Sequence, residues 1–243
     1  AIWSGGSDNV IGGAEAGEGN TIAYNLIGVD VQPGNGNRIL GNSMWGNTST
    51  GIELVGTVGV DPINGTTNAA SPNTEMDTVG ALTHNGTISV ASGAILDFAS
   101  NGLVTQTIGT AATTIAGTLS ITGDNFVNFT QAHTIGGSGT FLQNLGQVTG
   151  ANLTLGPALT YNVTLGGHSG AATTTVQGSA NITGTSLYLD GGRIFRNEGT
   201  VTQTNANVDL NARRSGSAEA GNGTVTNAAS GIWNSNETAS ASN

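Results

Sequence analysis

The chain of 243 residues contains no cysteine and no lysine. The absence of cysteine excludes disulfide bridges and thiolate metal sites. The absence of lysine removes the usual Schiff-base nucleophile and one common general base. All basic side chains apart from histidine are therefore arginines, namely Arg38, Arg193, Arg196, Arg213 and Arg214.

Charge of either sign is scarce: charged residues make up 8% of the chain, and the formal net charge is -10. An acidic surface repels phosphate groups, so we expect neither nucleic acid nor an anionic membrane as a partner. No apolar stretch approaches the length of a membrane-spanning helix, and we expect no membrane insertion. Residues 81–190 carry three acids and no base. This nearly uncharged middle favours self-association, because few like charges oppose close approach.

Aromatic residues amount to 5% of the chain, whereas glycine (40), asparagine (27) and threonine (35) are abundant. Threonine packs well on a pleated strand surface, while glycine and asparagine supply the left-handed backbone positions of sharp corners. Disorder is the alternative for such a composition, but disordered chains are normally rich in charge and lack regular apolar alternation. Disorder remains the alternative for the last dozen residues.

Short phrases recur along the chain. GNTIAYN (19–25) returns as GNRILGN (36–42), which aligns Asn20 with Asn37, and the apolar strands that follow align Val29 with Ile52. A looser phrase of Gly-Thr followed by an apolar residue recurs at positions 117 and 139, and again at positions 199 and 223. Apart from the shorter step between the two asparagines, these intervals lie in the low twenties. Such a period, carried by short alternating strands, predicts a solenoid of stacked coils.

The segment GNRILGNSMWGNTSTGIEL (36–54) resembles the right-handed parallel β-helix repeats of bacterial cell-surface proteins. TISVASGAILDFASNGLV and FRNEGTVTQTNANVDLNA resemble the shafts of autotransporter-like and filamentous adhesins. The resemblance implies an all-β, right-handed parallel β-helix, in which corner amides such as those of Asn25, Asn42 and Asn47 form ladders between coils. It is specific for fold and weak for function, because adhesins, structural proteins and polysaccharide-degrading enzymes share the repeat.

We predict one solenoid of roughly 10–11 coils. Residues 1–56 form the first coils, residues 57–80 a loop or insertion because they hold two prolines and several acids, and residues 81–243 the continued shaft. The chain opens with AIWSGG and ends within the pattern, so we expect it to be a mature or trimmed piece of a longer polypeptide.

Few residues form a pattern that carries chemistry. Glycosidases need two carboxylates flanking the substrate, yet the closest acids, Glu15 with Glu18 and Glu75 with Asp77, lie in turn-like sequence. Glu198 follows Arg196 closely, and Asp209 precedes Arg213 and Arg214. For these groups solvated salt bridges are the favoured interpretation, so we predict no catalytic residue and no enzyme activity.

Metal and cofactor sites are not expected either. His84, His133 and His168 are isolated, without the spacing of a zinc site. Asp61, Glu75 and Asp77 share one segment and leave a calcium site open, although the ligand spacing of a calcium loop is absent. Thr-x-Thr motifs leave an ice-binding face open, but they do not recur at the coil period. The tryptophans Trp3, Trp45 and Trp233 are scattered, and we expect core or cap packing for them.

These observations lead to one functional hypothesis and its rivals. We expect an extracellular or cell-surface structural or adhesive shaft that assembles with itself head to tail into fibres, and surface glycans are a further possible partner. The rival from another class is a carbohydrate-active enzyme in which Arg193, Arg196 and nearby acids line a groove. A calcium- or ice-binding module is the third alternative.

Overall fold

A computed structural model describes the larger part of the chain, and the statements below concern that part. The described residues are 2–6, 8–13, 17–32, 37–40, 42–48, 50–54, 62–63, 67–69, 74–78, 83–85, 88–99, 105–109, 112–212 and 220–236.

Strands make up about two thirds of the described residues, and none of these residues belongs to a helix. Accordingly, no helix long and apolar enough to cross a membrane is found among them. The strands are β1 (Ile2–Ser4), β2 (Val10–Gly12), β3 (Thr21–Ala23), β4 (Ile27–Val31), β5 (Arg38–Leu40), β6 (Ser43–Trp45), β7 (Thr50–Leu54), β8 (Pro62–Ile63), β9 (Thr67–Ala69), β10 (Thr74–Thr78), β11 (Thr83–His84), β12 (Ile88–Val90), β13 (Ile95–Ala99), β14 (Thr105–Ile108), β15 (Ala112–Ile115), β16 (Thr118–Phe129), β17 (His133–Gly136), β18 (Thr140–Gly150), β19 (Leu153–Leu155), β20 (Thr160–His168), β21 (Thr173–Val176), β22 (Ser179–Leu189), β23 (Ile194–Asn197), β24 (Thr200–Thr204), β25 (Asn207–Leu210), β26 (Thr224–Asn227) and β27 (Ile232–Asn236).

The strands stack in parallel as a β-solenoid, which confirms the predicted fold class. The first face is a ladder of eleven strands in the order β1-β4-β7-β10-β13-β16-β18-β20-β22-β24-β27. The right hand of the solenoid stays a prediction from the general preference of parallel crossovers.

Four long strands, β16, β18, β20 and β22, continue from the first face onto a second. The first half of β16 pairs with β13 and its second half with β14, and the register with β18 shifts between Gly123 and Phe126. At the other end, β24 pairs with the first half of β22 and β25 with its second half. The chain therefore bends within each long strand, and the second face adjoins the first without a break.

The third face is an eight-stranded sheet in the order β26-β23-β21-β19-β17-β15-β12-β9. The seven pairings between its eight strands correspond to about seven turns of the solenoid, and in these turns the faces enclose a common core. The prediction of ten to eleven coils divides the chain length by a period in the low twenties. Eleven strands do stack on the first face, but the solenoid has about seven turns. The first coils differ because β2 with β5, and β3 with β6, form separate two-stranded sheets.

Two predicted boundaries need correction. The segment 57–80, expected to be a loop or insertion, contributes β8, β9 and β10, and β10 pairs with both β7 and β13. Pro62 does not prevent this, because it is the first residue of a two-residue strand, a position where a missing N–H is tolerated. Of the last dozen residues, 232–236 form β27 and the others lie outside the described residues.

Like residues form columns inside the solenoid. One apolar column of the first face is fully in register and buried; its members are Leu96, Leu119, Phe141, Tyr161, Ala180 and Val201. Phe141 and Tyr161 stack with ring centroids 5.2 Å apart. Each coil therefore covers the apolar side chains of its neighbours, which no single coil does alone.

A column of glycines explains the recurring Gly-Thr phrase. Gly117, Gly139, Gly178 and Gly199 each precede a strand of the first face. A Cβ on Gly139 would lie 2.2 Å from the carbonyl oxygen of Gly117, and one on Gly199 would lie 2.0 Å from that of Gly178. At these glycines the backbones of successive coils approach so closely that a Cβ would clash, whereas Leu159 occupies the equivalent position before β20.

The strand pairing also shows which of the recurring phrases stack on each other in neighbouring coils. Val29 pairs with Ile52, and Thr118, after Gly117, pairs with Thr140, as the recurring phrases predict. The recurrence of the Gly-Thr phrase at positions 199 and 223 does not reflect stacking of the two phrases on each other. Thr200 pairs with Ile232, while Thr224 pairs with Ile194.

The predicted asparagine ladder is confirmed, although its rungs do not join the asparagines that the recurring phrase aligns. The backbone N–H of Asn25 donates to Oδ1 of Asn47 at 3.0 Å, and Asn20 Nδ2 donates to Asn42 Oδ1 at 2.9 Å. The phrase therefore relates different corners of the solenoid, since Asn37 contacts Asn9 instead of Asn20.

Candidate functional sites

The core contains one extensive group of polar side chains, here called the interior polar cluster: Gln143, Tyr161, His168, Thr174 and Arg193. All five are buried, and Arg193 is among the largest fully buried side chains of the described residues. Strands β18, β20 and β21 supply four of them, and Arg193 lies directly before β23. The cluster therefore spans three successive coils.

Hydrogen-bond chemistry fixes the direction of this chain of contacts. Arg193 Nε is always a donor, so the Oγ1 of Thr174 accepts from it at 3.0 Å. The Tyr161 hydroxyl hydrogen is donated to Gln143 Oε1, so His168 Nε2, 2.7 Å from that hydroxyl, carries the imidazole proton. Nδ1 of the neutral imidazole therefore accepts from the Thr174 hydroxyl, 2.9 Å away.

This series of hydrogen bonds ends at the side-chain amide of Gln143. The Tyr161 hydroxyl donates to Gln143 Oε1, and Gln143 Nε2 donates to the carbonyl oxygens of Gly146 and Gly167 at 2.9 and 3.0 Å. The hydrogen bonds of the network thus run in one consistent direction. Arg193 Nη2 is the one nitrogen of the cluster that is buried without a hydrogen-bond partner among the described residues.

Burial shifts the pKa values of the ionisable members. Desolvation, assisted by the positive charge of Arg193, holds the pKa of His168 well below its usual value, so the imidazole is neutral. Desolvation likewise raises the pKa of Tyr161. It lowers the pKa of Arg193 to about 10, opposed by the attraction of Arg193 to Tyr161. The cluster is enclosed in the core, and its geometry suits a role in stabilising the fold.

The groove residues expected for an enzyme do not lie together. Arg193 is buried inside the solenoid, which corrects its predicted place in a groove. Arg196 points outward and forms an exposed ion pair with Glu198, whose Oε1 lies 2.7 Å from Arg196 Nε. Arg196 and, secondarily, Gln177 lower the pKa of Glu198 through hydrogen bonds. This is the solvated pair that the sequence favours; the predicted partners Arg213 and Arg214 of Asp209 lie outside the described residues.

The other histidines and acids converge on no site in the described part of the chain. His84 and His133 are buried, and His133 Nε2 lies 3.0 Å from Thr113 Oγ1. No group of three or more histidine, aspartate or glutamate side chains is placed to hold a metal ion among the described residues. Of the calcium candidates, Asp61 lies outside that part, and only the backbone of Glu75 and Asp77, within β10, belongs to it.

The outer side of the first face carries a column of hydroxyl groups at the coil period. Its members are in register, one per coil: Thr118, Thr140, Thr160, Ser179 and Thr200. Thr118, Thr140 and Thr200 are the threonines of the recurring Gly-Thr phrase, whereas the Thr-x-Thr motifs considered for an ice-binding face do not recur at this period. The adjoining outward column is mixed, with Leu142, Asn162 and Asn181, so the face lacks the second threonine column of a flat ice-binding array.

The first coils expose aromatic side chains, including two of the tryptophans for which the sequence predicts core or cap packing. Trp3 is 75% exposed and Trp45 is 40% exposed, whereas Trp233 packs on the core and donates to Gln203 at 3.2 Å. Tyr24, 76% exposed, meets Trp45 edge to face with ring centroids 4.6 Å apart. No local motif signals this pair, because contact between the two rings depends on the register of β3 with β6.

Comparison of the chain with models of protein families, with characterised proteins and with solved structures gives no match.

Proposed function

We propose that the protein is an extracellular structural and adhesive shaft. The observation that carries the proposal is the uninterrupted parallel ladder of eleven strands on one face. In such a ladder the backbone hydrogen bonds run along the long axis of the molecule, so tension or bending is distributed over all coils.

Three features of the interior support a stiff shaft. Glycines allow close coil-to-coil contact, asparagine ladders join successive corners, and the interior polar cluster links three coils by directional bonds. All three include contacts between coils, which resist bending and separation along the axis.

Surface composition supports both adhesion and self-assembly. Asp124 is the only charged residue between positions 112 and 189, and the outer side of this region presents hydroxyl and amide groups. Such a surface forms hydrogen bonds with little electrostatic repulsion, either with glycans or with another copy of the chain. The sequence resemblance to shafts of bacterial surface proteins supports the same location and role.

Small-angle scattering and electron microscopy test the proposal. Eleven strands at ~4.8 Å spacing give a rod about 50 Å long, and linear assemblies resistant to salt are expected at micromolar concentration. A particle that stays compact and monomeric at all concentrations and ionic strengths would contradict the assembly. Adhesion is tested separately by retention of the protein on immobilised polysaccharides.

The enzyme alternative has its own test. Purified protein is incubated with neutral and acidic polysaccharides, and we expect no release of reducing or unsaturated ends. Release that is abolished by Glu198→Gln or Arg196→Ala would replace the shaft by a carbohydrate-active enzyme.

A further inference from the structure

We propose that Tyr24 and Trp45 form a binding site for neutral polysaccharides in the first coils. This rests on the adhesive part of the proposed function and names its ligand class and residues; the rod and its assembly, which need no exposed aromatic pair, are tested independently of it. The two residues belong to adjacent coils: Trp45 ends β6, which pairs with β3, and Tyr24 directly follows β3.

The pair is held in place by the backbone. The Tyr24 N–H donates to the Trp45 carbonyl oxygen at 3.3 Å. A Cβ on Gly46 would lie 3.1 Å from Cδ1 and Cε1 of Tyr24, so the tyrosine ring lies over this glycine. The edge-to-face contact with Trp45 completes a fixed platform that is nevertheless largely open to solvent.

Tyr24 also adopts a backbone conformation that costs free energy. Its φ is 59°, in the left-handed region that bulky residues rarely occupy. Strain of this kind persists where the surroundings enforce it and is concentrated at functional sites. Here it projects an aromatic ring outward at a corner where glycine or asparagine would be accommodated more easily.

The surroundings match the chemistry of a sugar. Aromatic rings offer apolar faces to the C–H groups of a pyranose, and Thr21 and Ser43 form an exposed hydroxyl pair on the same two-stranded sheet. The described residues 17–32 and 42–48 contain the acids Glu18 and Asp30 and no arginine. An uncharged polysaccharide therefore fits this surface, whereas an acidic one is repelled.

The test uses the whole chain and three neutral probes, namely galactomannan, xyloglucan and dextran, with alginate as the acidic comparison. Calorimetry and tryptophan fluorescence are expected to show binding of at least one neutral probe and none of alginate. Trp45→Ala is expected to weaken that binding about tenfold, as the loss of one aromatic contact implies. The matched control is Trp3→Ala, which removes a more exposed tryptophan of the first face and is expected to leave affinity unchanged.

A second variant separates binding from folding. Tyr24→Asn removes the ring but suits a left-handed backbone, so it should weaken binding about tenfold without lowering the melting temperature. If Trp45→Ala changes the circular-dichroism signal of the strands, the binding affinity of Tyr24→Asn decides whether the site exists. Absence of binding to all neutral probes, preference for alginate, or equal losses in Trp3→Ala would overturn the site. So would variants that change sedimentation but not polysaccharide binding, since the pair would then be a contact between copies.

Discussion

Arg193 reaches back along the chain to Gly150, where its Nη1 donates to the carbonyl oxygen at 3.0 Å. The same nitrogen lies 3.2 Å from the carbonyl oxygen of Ala151, and Nε donates to Thr174 between the two ends. One side chain thus connects three successive coils through the core. The arginine that the sequence suggested for a groove instead joins coils.

Arg193→Ala is therefore expected to destabilise the solenoid strongly. It leaves two carbonyl oxygens without this donor and opens a cavity, which together should cost about 2–4 kcal/mol. Thermal and urea unfolding followed by circular dichroism measure the loss. Arg196→Ala, which removes an exposed arginine close by in the sequence, should leave the melting temperature unchanged; equal effects of both variants would contradict the structural role of Arg193.

Stability should decrease as the pH falls through the usual titration range of histidine. Folded His168 has a lowered pKa, so it stays neutral where the unfolded chain already binds a proton, near pH 6.5. The unfolded state then holds more protons, and the free energy of unfolding falls with decreasing pH. Denaturant midpoints between pH 7.5 and 5.5 check this for the wild type and for His168→Asn.

His168→Asn lacks the titrating imidazole, so its stability should change less over the same interval, although it starts lower. His84 and His133 remain in both proteins and cancel in the comparison. A pH slope identical in wild type and variant would show that His168 titrates similarly in the folded and unfolded states.

The glycine column gives a matched pair of substitutions. A methyl group at Gly199 would lie 2.0 Å from the carbonyl oxygen of Gly178, whereas one at Gly136 would have no heavy atom within 4 Å. Gly199→Ala should therefore cost about 1–3 kcal/mol through overpacking. Gly136→Ala should be neutral or slightly stabilising, because it reduces the entropy of the unfolded chain. Comparable melting temperatures for both variants would show that the corner backbones can move apart.

The sequence predicts the solenoid because its repeat reflects contacts between coils. Gly117 and Gly139 recur for a steric reason, and Val29 and Ile52 recur because both face one core. By contrast, equal phrases at different corners, such as those containing Asn20 and Asn37, have the same local chemistry without stacking on each other. Composition identifies corners and strands, but only the register decides which corners meet.

Sites were harder to predict than the fold. Arg193 and His168 are polar residues inside the core. The contacts of Arg193 with Thr174 and of His168 with Gln143 join different coils, so no local motif connects the whole cluster. Tyr24 and Trp45 become neighbours only through the pairing of β3 with β6. A polar residue that replaces an apolar one at the core period is the signal that could have pointed to the interior polar cluster.

The last prediction concerns Asn197, a fully buried member of the third-face ladder. Its Nδ2 donates to Asn227 Oδ1 at 2.7 Å and to the Ile232 carbonyl oxygen at 2.8 Å, and its Oδ1 accepts from the Gly199 N–H at 3.1 Å. Asn197→Ala should cost about 2–3 kcal/mol, since it leaves buried groups unpaired. Asn181→Ala, which removes one donor to Asn162 at a half-buried position, should cost less than about 1 kcal/mol.

Asn197→Asp tests the donors without changing the size of the side chain. At neutral pH the carboxylate has no hydrogen to donate and faces two oxygen acceptors, so the variant should be less stable than Asn197→Ala. Burial raises the pKa of such a carboxyl, and below that pKa its O–H again donates to one of the acceptors. Stability of the variant relative to the wild type should therefore increase on acidification, as measured by denaturant midpoints at pH 7 and pH 5. A constant difference between the two proteins would show that Asn197 acts by filling space and not as a donor.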